Sequence, residues 1–67
     1  MDNEFVIHFI LGKKIIESQC SVHVPIEGDN VKVASGAIYK VINRTLDYNA
    51  KPQVALVNIQ ELDPHWT

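Results

Sequence analysis

Asn3-Glu4-Phe5-Val6-Ile7-His8-Phe9-Ile10-Leu11-Gly12-Lys13-Lys14-Ile15-Ile16-Glu17-Ser18-Gln19-Cys20-Ser21-Val22-His23-Val24 is the stretch that decides the fold. Phe5, Val6, Ile7, Phe9 and Ile10 are strong strand formers. Gly12-Lys13 supplies a two-residue turn with glycine at its first central position, which suits a type II′ hairpin. The segment therefore reads as two antiparallel strands, about Asn3 to Leu11 and Lys14 to about Val24. A two-residue turn sets the register: Ile10 faces Ile15, Phe9 faces Ile16, His8 faces Glu17, Ile7 faces Ser18 and Phe5 faces Cys20. Side chains alternate along a strand. Phe5, Ile7, Phe9, Ile16, Cys20, Val22 and Val24 then form the core face. Val6, His8, Ile10, Ile15, Glu17 and Gln19 form the other face, which is half apolar. The first strand is thus apolar on both sides.

Downstream, Pro25 lacks an N–H and stops the ladder, and Pro25 to Asn30 reads as a turn. Val31-Lys32-Val33 is a short strand and Ser35-Gly36 a second turn. Ala37 to Tyr48 is ambiguous. Ile38, Val41, Ile42, Thr45 and Leu46 fit helical spacing, with Ser35 as an N-cap. Its β-branched and aromatic residues favour a long strand instead, with an α+β fold carrying a helix at about 37–48 as the alternative. Asp47 to Pro52 is a polar loop. Gln53 to Leu62 is the last strand, with Val54 and Leu56 on one side and Ala55, Val57 and Ile59 on the other. The expected fold is all-β in one domain over residues 1–67. It is a five-stranded antiparallel meander, as a small SH3-like or OB-like barrel or a curled sheet. Sequential strands usually neighbour each other, so consecutive pairing is the expected topology.

A chain of 67 residues sits near the lower limit for a self-sufficient core. Small scaffolds add disulfides, a metal or a second subunit. The single cysteine, Cys20, excludes an intrachain disulfide. A homodimer is therefore the expected staple, through Val6, His8, Ile10, Ile15 and Glu17. The net charge of −2 lacks the basic stripe of a dedicated nucleic-acid binder. The run Phe5 to Leu11 is too short to span a bilayer. The acidic start Met1-Asp2-Asn3-Glu4 lacks the basic region of a signal peptide. The expectation is a cytoplasmic protein, and the acceptor-like triplet Asn43-Arg44-Thr45 is read as chance.

No catalytic constellation emerges, and the chain is read as non-enzymatic and without a cofactor. His8 beside Glu17 is an ordinary cross-strand polar pair with no nucleophile or oxyanion donor attached. Cys20 and His23 are three apart and point to opposite faces of a strand. With His8 and His65 they lack the paired spacings of structural zinc, so no metal is expected. Cys20 reads as a small buried apolar residue. Gly12, Gly28 and Gly36 are isolated turn glycines rather than a phosphate loop. Lys40 and Arg44 fall on one side of the fourth strand, with Tyr39 and Tyr48 available to stack on bases. Nucleic-acid binding by a small barrel is the alternative function on that account. Trp66, beyond Pro64, is an interface anchor type. Tyr48 and the acidic turn residues Glu27 and Asp29 join it as expected contacts for a partner protein.

Val24-Pro25-Ile26-Glu27-Gly28-Asp29-Asn30-Val31, followed by Ser35-Gly36-Ala37-Ile38-Tyr39-Lys40-Val41 and the trailing strand Val54 to Leu62, resembles a pattern in short β-rich proteins encoded by phages and prophages. The likeness covers about two-thirds of the chain, from Val24 onward, and brings no catalytic residue with it. It implies a phage accessory protein, acting in the host cytoplasm, that binds a host protein and blocks it. Inhibitors of anti-phage defences are the sharpest version, and short inhibitors of the Hachiman defence system are of this general size. A virion structural component is a further alternative.

Overall fold

The computed structural model describes residues 4–62. Five strands make one sheet: β1 (Phe5–Leu11), β2 (Lys14–Ser21), β3 (Asn30–Lys32), β4 (Ile38–Asp47) and β5 (Val54–Glu61). No helix occurs among the described residues, so the 37–48 segment is strand. The sheet curls into a half-barrel, with strand order β2-β1-β5-β4-β3.

That order corrects the meander in two places. β1 pairs with β5 in parallel, so the sheet is mixed, and β2 does not pair with β3. The physical reason lies in which strands have two apolar faces. β1 does, and β5 buries Ala55, Val57 and Ile59 on one side while carrying Val54 and Leu56 on the other. Two such strands gain most by lying side by side near the centre. Their register sets Ile7 beside Ala55, Phe9 beside Val57 and Leu11 beside Ile59.

The β1–β2 hairpin forms as the turn predicts. Gly12 has φ 68° and Lys13, like every other non-glycine among the described residues, has no positive φ, the pattern of a type II′ turn. The register holds for Leu11–Lys14 and Ile10–Ile15, then slips by one. Ile16 is an extra residue, and beyond it Phe9 faces Glu17, His8 faces Ser18, Ile7 faces Gln19, Val6 faces Cys20 and Phe5 faces Ser21. A β-bulge of this kind leaves one residue unpaired and inverts every face after it. Glu17, Gln19 and Ser21 therefore share the concave side with Phe5, Ile7 and Phe9. Cys20 turns outward and is exposed, contrary to its expected burial. With polar residues facing inward, β2 is suited to an edge and not to the middle of a sheet.

A second bulge sits in β4. Val41 faces Ile59 and Asn43 faces Asn58, which leaves Ile42 as the extra residue. Lys40, opposite Gln60, and Arg44, opposite Val57, consequently lie on opposite faces, which corrects the expectation that they share one.

The core fills the concave side. Phe5, Ile7, Phe9, Val41, Ala55, Val57 and Ile59 form one buried cluster, flanked by Leu11, Val24, Val31, Tyr39 and Leu46. The second strand ends at Ser21, and residues 22–29 carry the chain from one sheet edge to the other across this side. Val24 packs on the cluster, and its carbonyl accepts a hydrogen bond from Arg44 Nη1 at 3.1 Å. The crossing ends in a turn over Ile26–Asp29. Asp29 N–H donates to the Ile26 carbonyl, and the Asp29 carboxylate accepts Ile26 N–H, both at 3.0 Å. Gly28 takes φ 95° there, which a side chain at this position would resist.

Candidate interaction surfaces

The convex face of the half-barrel is built by alternation. β1 contributes Val6, His8 and Ile10, set beside Val54, Leu56 and Asn58 of β5. β2 adds Cys20, Ser18 and Ile15 on one flank, and β4 adds Asp47, Thr45 and Asn43 on the other. Val6, His8 and Ile10 are half-buried, whereas Leu56 is 37% and Ile15 53% exposed. Strand-to-strand contacts run only between sheet neighbours, so no described element lies over this face.

Four of the five residues expected at a dimer interface share that face: Val6, His8, Ile10 and Ile15. Glu17 does not, because the Ile16 bulge carries it to the concave side. His8 accordingly meets Ser18 rather than Glu17, with Nδ1 2.6 Å from the hydroxyl oxygen. On the same face, across β4 and β5, Asn58 Nδ2 donates to Asn43 Oδ1 at 2.6 Å. Both are cross-strand polar pairs, the usual way a sheet face satisfies such groups.

The expected partner-contact residues are spread out. Tyr48 follows β4, is 63% exposed, and sets its ring edge-on to Phe5 with centroids 5.5 Å apart. The loop behind it is held by Asp47, whose Oδ1 accepts the N–H groups of Asn49 and Ala50. Tyr48 lines a shallow cleft of about 420 Å³ with Glu4, Ala50, Lys51, Pro52 and Gln53. Glu27 and Asp29 lie elsewhere, where Gly28 N–H donates to the Val41 carbonyl. Val41 and Tyr48 are about 23 Å apart along the strand at roughly 3.3 Å per residue. The Asp29 carboxylate is committed to its own turn. Trp66, His65 and Pro64 lie outside the described residues.

Among the described residues no group of three or more His, Cys, Asp or Glu side chains is placed to hold a metal ion. No helix among them is long and apolar enough to cross a membrane. Among the described residues, the depressions lined by Glu17 and Ala34, by Tyr48 and Gln53, and by Glu27 and Gln60 are open grooves, and none of the three encloses a constellation of acid, base and nucleophile. What sequence reasoning missed are the two bulges. Their signal is a doubled aliphatic in each bulged strand, Ile15-Ile16 and Val41-Ile42, where strict alternation breaks.

No family of known proteins, no curated protein and no solved structure matches this chain.

Proposed function

We propose that the chain is a non-enzymatic protein–protein interaction module that binds a host protein and blocks it sterically, as a short phage-encoded inhibitor of an anti-phage defence protein would. One observation carries the reading: Val6, Ile10, Ile15 and Leu56 form an apolar patch across three strands that no element among the described residues covers. Contiguous apolar surface of this kind marks interaction sites on small soluble domains. A second copy of the chain is the occupant of that patch, and the Tyr48 loop and the Glu27–Asp29 turn are left for the target. Nucleic-acid binding loses its geometric support, because Lys40 and Arg44 do not share a face.

Two measurements test the reading. The chain is expressed in bacteria carrying one defined defence system at a time, with and without the Tyr48→Ala change. Restored infection in one strain, lost with the variant, is the expected result. Unchanged defence across the panel removes the inhibitor. Light scattering at high micromolar concentration is expected to give a dimer that Ile15→Glu dissociates, and a strict monomer removes the dimer.

A further inference from the structure

The sheet has two edges, β2 and β3, and its curl brings them toward each other without pairing them. A groove of about 570 Å³ separates them. Glu17, Ser18 and Gln19 line one lip, and Lys32, Val33 and Ala34 line the other. Ala34 N–H donates across it to Glu17 Oε1 at 2.8 Å. A side-chain oxygen thus stands where the carbonyl of a neighbouring strand would stand in a closed barrel.

The β2 lip is a working strand edge. Backbone groups in an antiparallel pair point alternately toward and away from the partner strand. Leu11–Lys14 closes the two-residue turn with its groups directed inward. Counting on through the bulge, Ser18 and Cys20 direct their N–H and C=O groups away from β1. Natural edges are protected by prolines, charges, bulges or shortness. β3 is protected by its three residues, and the start of β2 by Lys14 and the Ile16 bulge. From Ser18 to Ser21 β2 has none of these.

We infer that the β2 edge from Glu17 to Ser21 accepts one extended segment of a partner polypeptide as an added strand. This rests on the binding-module reading above and names the form of the partner. A carbonyl of the incoming segment replaces Glu17 Oε1 on Ala34 N–H. Flanking strands stand about 9.5 Å apart with a strand between them, so the groove opens as the Glu17 contact is released. The occupant is a slim segment rather than a folded second copy. The turn at Val33–Gly36 stands beside this edge, and a two-fold dimer would set two such turns against each other. Alternate side chains of the segment face inward, between Glu17 and Gln19 on one lip and the buried Val33 on the other, and carry a hydrogen-bonding end on an apolar stem, while the others lie on the convex side beside Ser18.

The test selects a displayed random library of linear peptides on the whole chain. Enriched peptides are expected to repeat long hydrogen-bonding residues such as Gln, Lys or Arg at every second position and to lack internal proline. N-methylation of alternate backbone nitrogens, or Ser18→Pro in the protein, is expected to weaken binding about tenfold or more, the scale of one lost buried hydrogen bond. Gln60→Ala, at an exposed position of β5 outside both the groove and the convex patch, leaves it unchanged. If Ser18→Pro does not fold, the N-methyl series decides alone. Failure to enrich any peptide overturns the inference, as do peptides that tolerate both changes. Peptides lost only with Leu56→Glu overturn the edge while leaving the module reading intact. A homodimer dissociated by Ser18→Pro assigns the edge to a second copy and overturns the inference too.

Discussion

Replacing Ile7 with alanine, and separately Ile15 with alanine, measures how differently the two sheet faces are filled. Both changes delete the same carbons. Ile7 is 1% exposed, with Gln19 on one side and Ala55 on the other; Ile15 is 53% exposed. At about 0.8 kcal/mol per buried methylene, Ile7→Ala forfeits about 2.4 kcal/mol of transfer energy. The cavity left behind brings the cost into the range of about 2–5 kcal/mol. Ile15 keeps roughly half its surface wet, so its loss is about 1 kcal/mol. A domain of this size holds about 3–10 kcal/mol in total. Ile7→Ala therefore removes a large fraction of the stability and Ile15→Ala a small one. With about 4–8 °C lost per kcal/mol, Tm falls by at least roughly 10 °C for Ile7→Ala and by less than about 8 °C for Ile15→Ala. Urea and thermal melts followed by circular dichroism at low micromolar protein read both. Equal losses at the two positions in dilute solution would refute the reasoning, because the convex face could not then be open on a single copy. A cost at Ile15 that grows with protein concentration is the linkage signature of a second copy covering it.

Asp47→Ala removes the acceptor shared by Asn49 and Ala50 N–H and is expected to lower stability by about 1 kcal/mol; amide exchange at those two residues should speed up. Gly28→Ala meets no atom within 4 Å of a new Cβ, so its cost is conformational only, about 1–2 kcal/mol at positive φ. An unchanged Tm would show that the turn does not need the left-handed conformation. Glu17→Gln keeps an acceptor for Ala34 N–H, whereas Glu17→Ala removes it. Hydrogen exchange at the Ala34 amide should be preserved in the first variant and accelerated in the second.

Much of the fold was legible in the chain. The Gly12-Lys13 turn, all five strands and the grouping of Ala55, Val57 and Ile59 on one side of the last strand follow from turn chemistry and alternation; that this side is the buried one does not. The partner order did not follow, because parallel pairing of β1 with β5 depends on packing between segments some 40 residues apart in sequence, which local patterning does not encode. The site fared unevenly for a related reason. Val6, His8, Ile10 and Ile15 precede the first bulge along the hairpin path or lie on β1 itself, so their common face was readable. Glu17 and Cys20 lie beyond it, and one unpaired residue exchanged their faces.

The Ile16 bulge also accounts for the open half-barrel. In an unbulged hairpin, Ile16 would have pointed inward opposite Phe9, with Cys20 inward as well, and β2 would have offered an apolar face to a closing strand. With Ile16 extruded, Glu17, Gln19 and Ser21 face inward and β2 has little apolar surface left for β3 to cover. Closure by β3 would bury those polar groups, and a polar group buried without a partner costs on the order of 1–3 kcal/mol. The Ala34 N–H bond satisfies Glu17 without that burial. Deleting Ile16 removes the extra residue but leaves Glu17 opposite Phe9, so the deletion variant should keep its polar inward face and its open seam. Unchanged exchange of the Ser18 and Lys32 amides relative to the parent chain would report it, and reduced exchange at both would show that the bulge itself, rather than the polar face behind it, keeps the seam open.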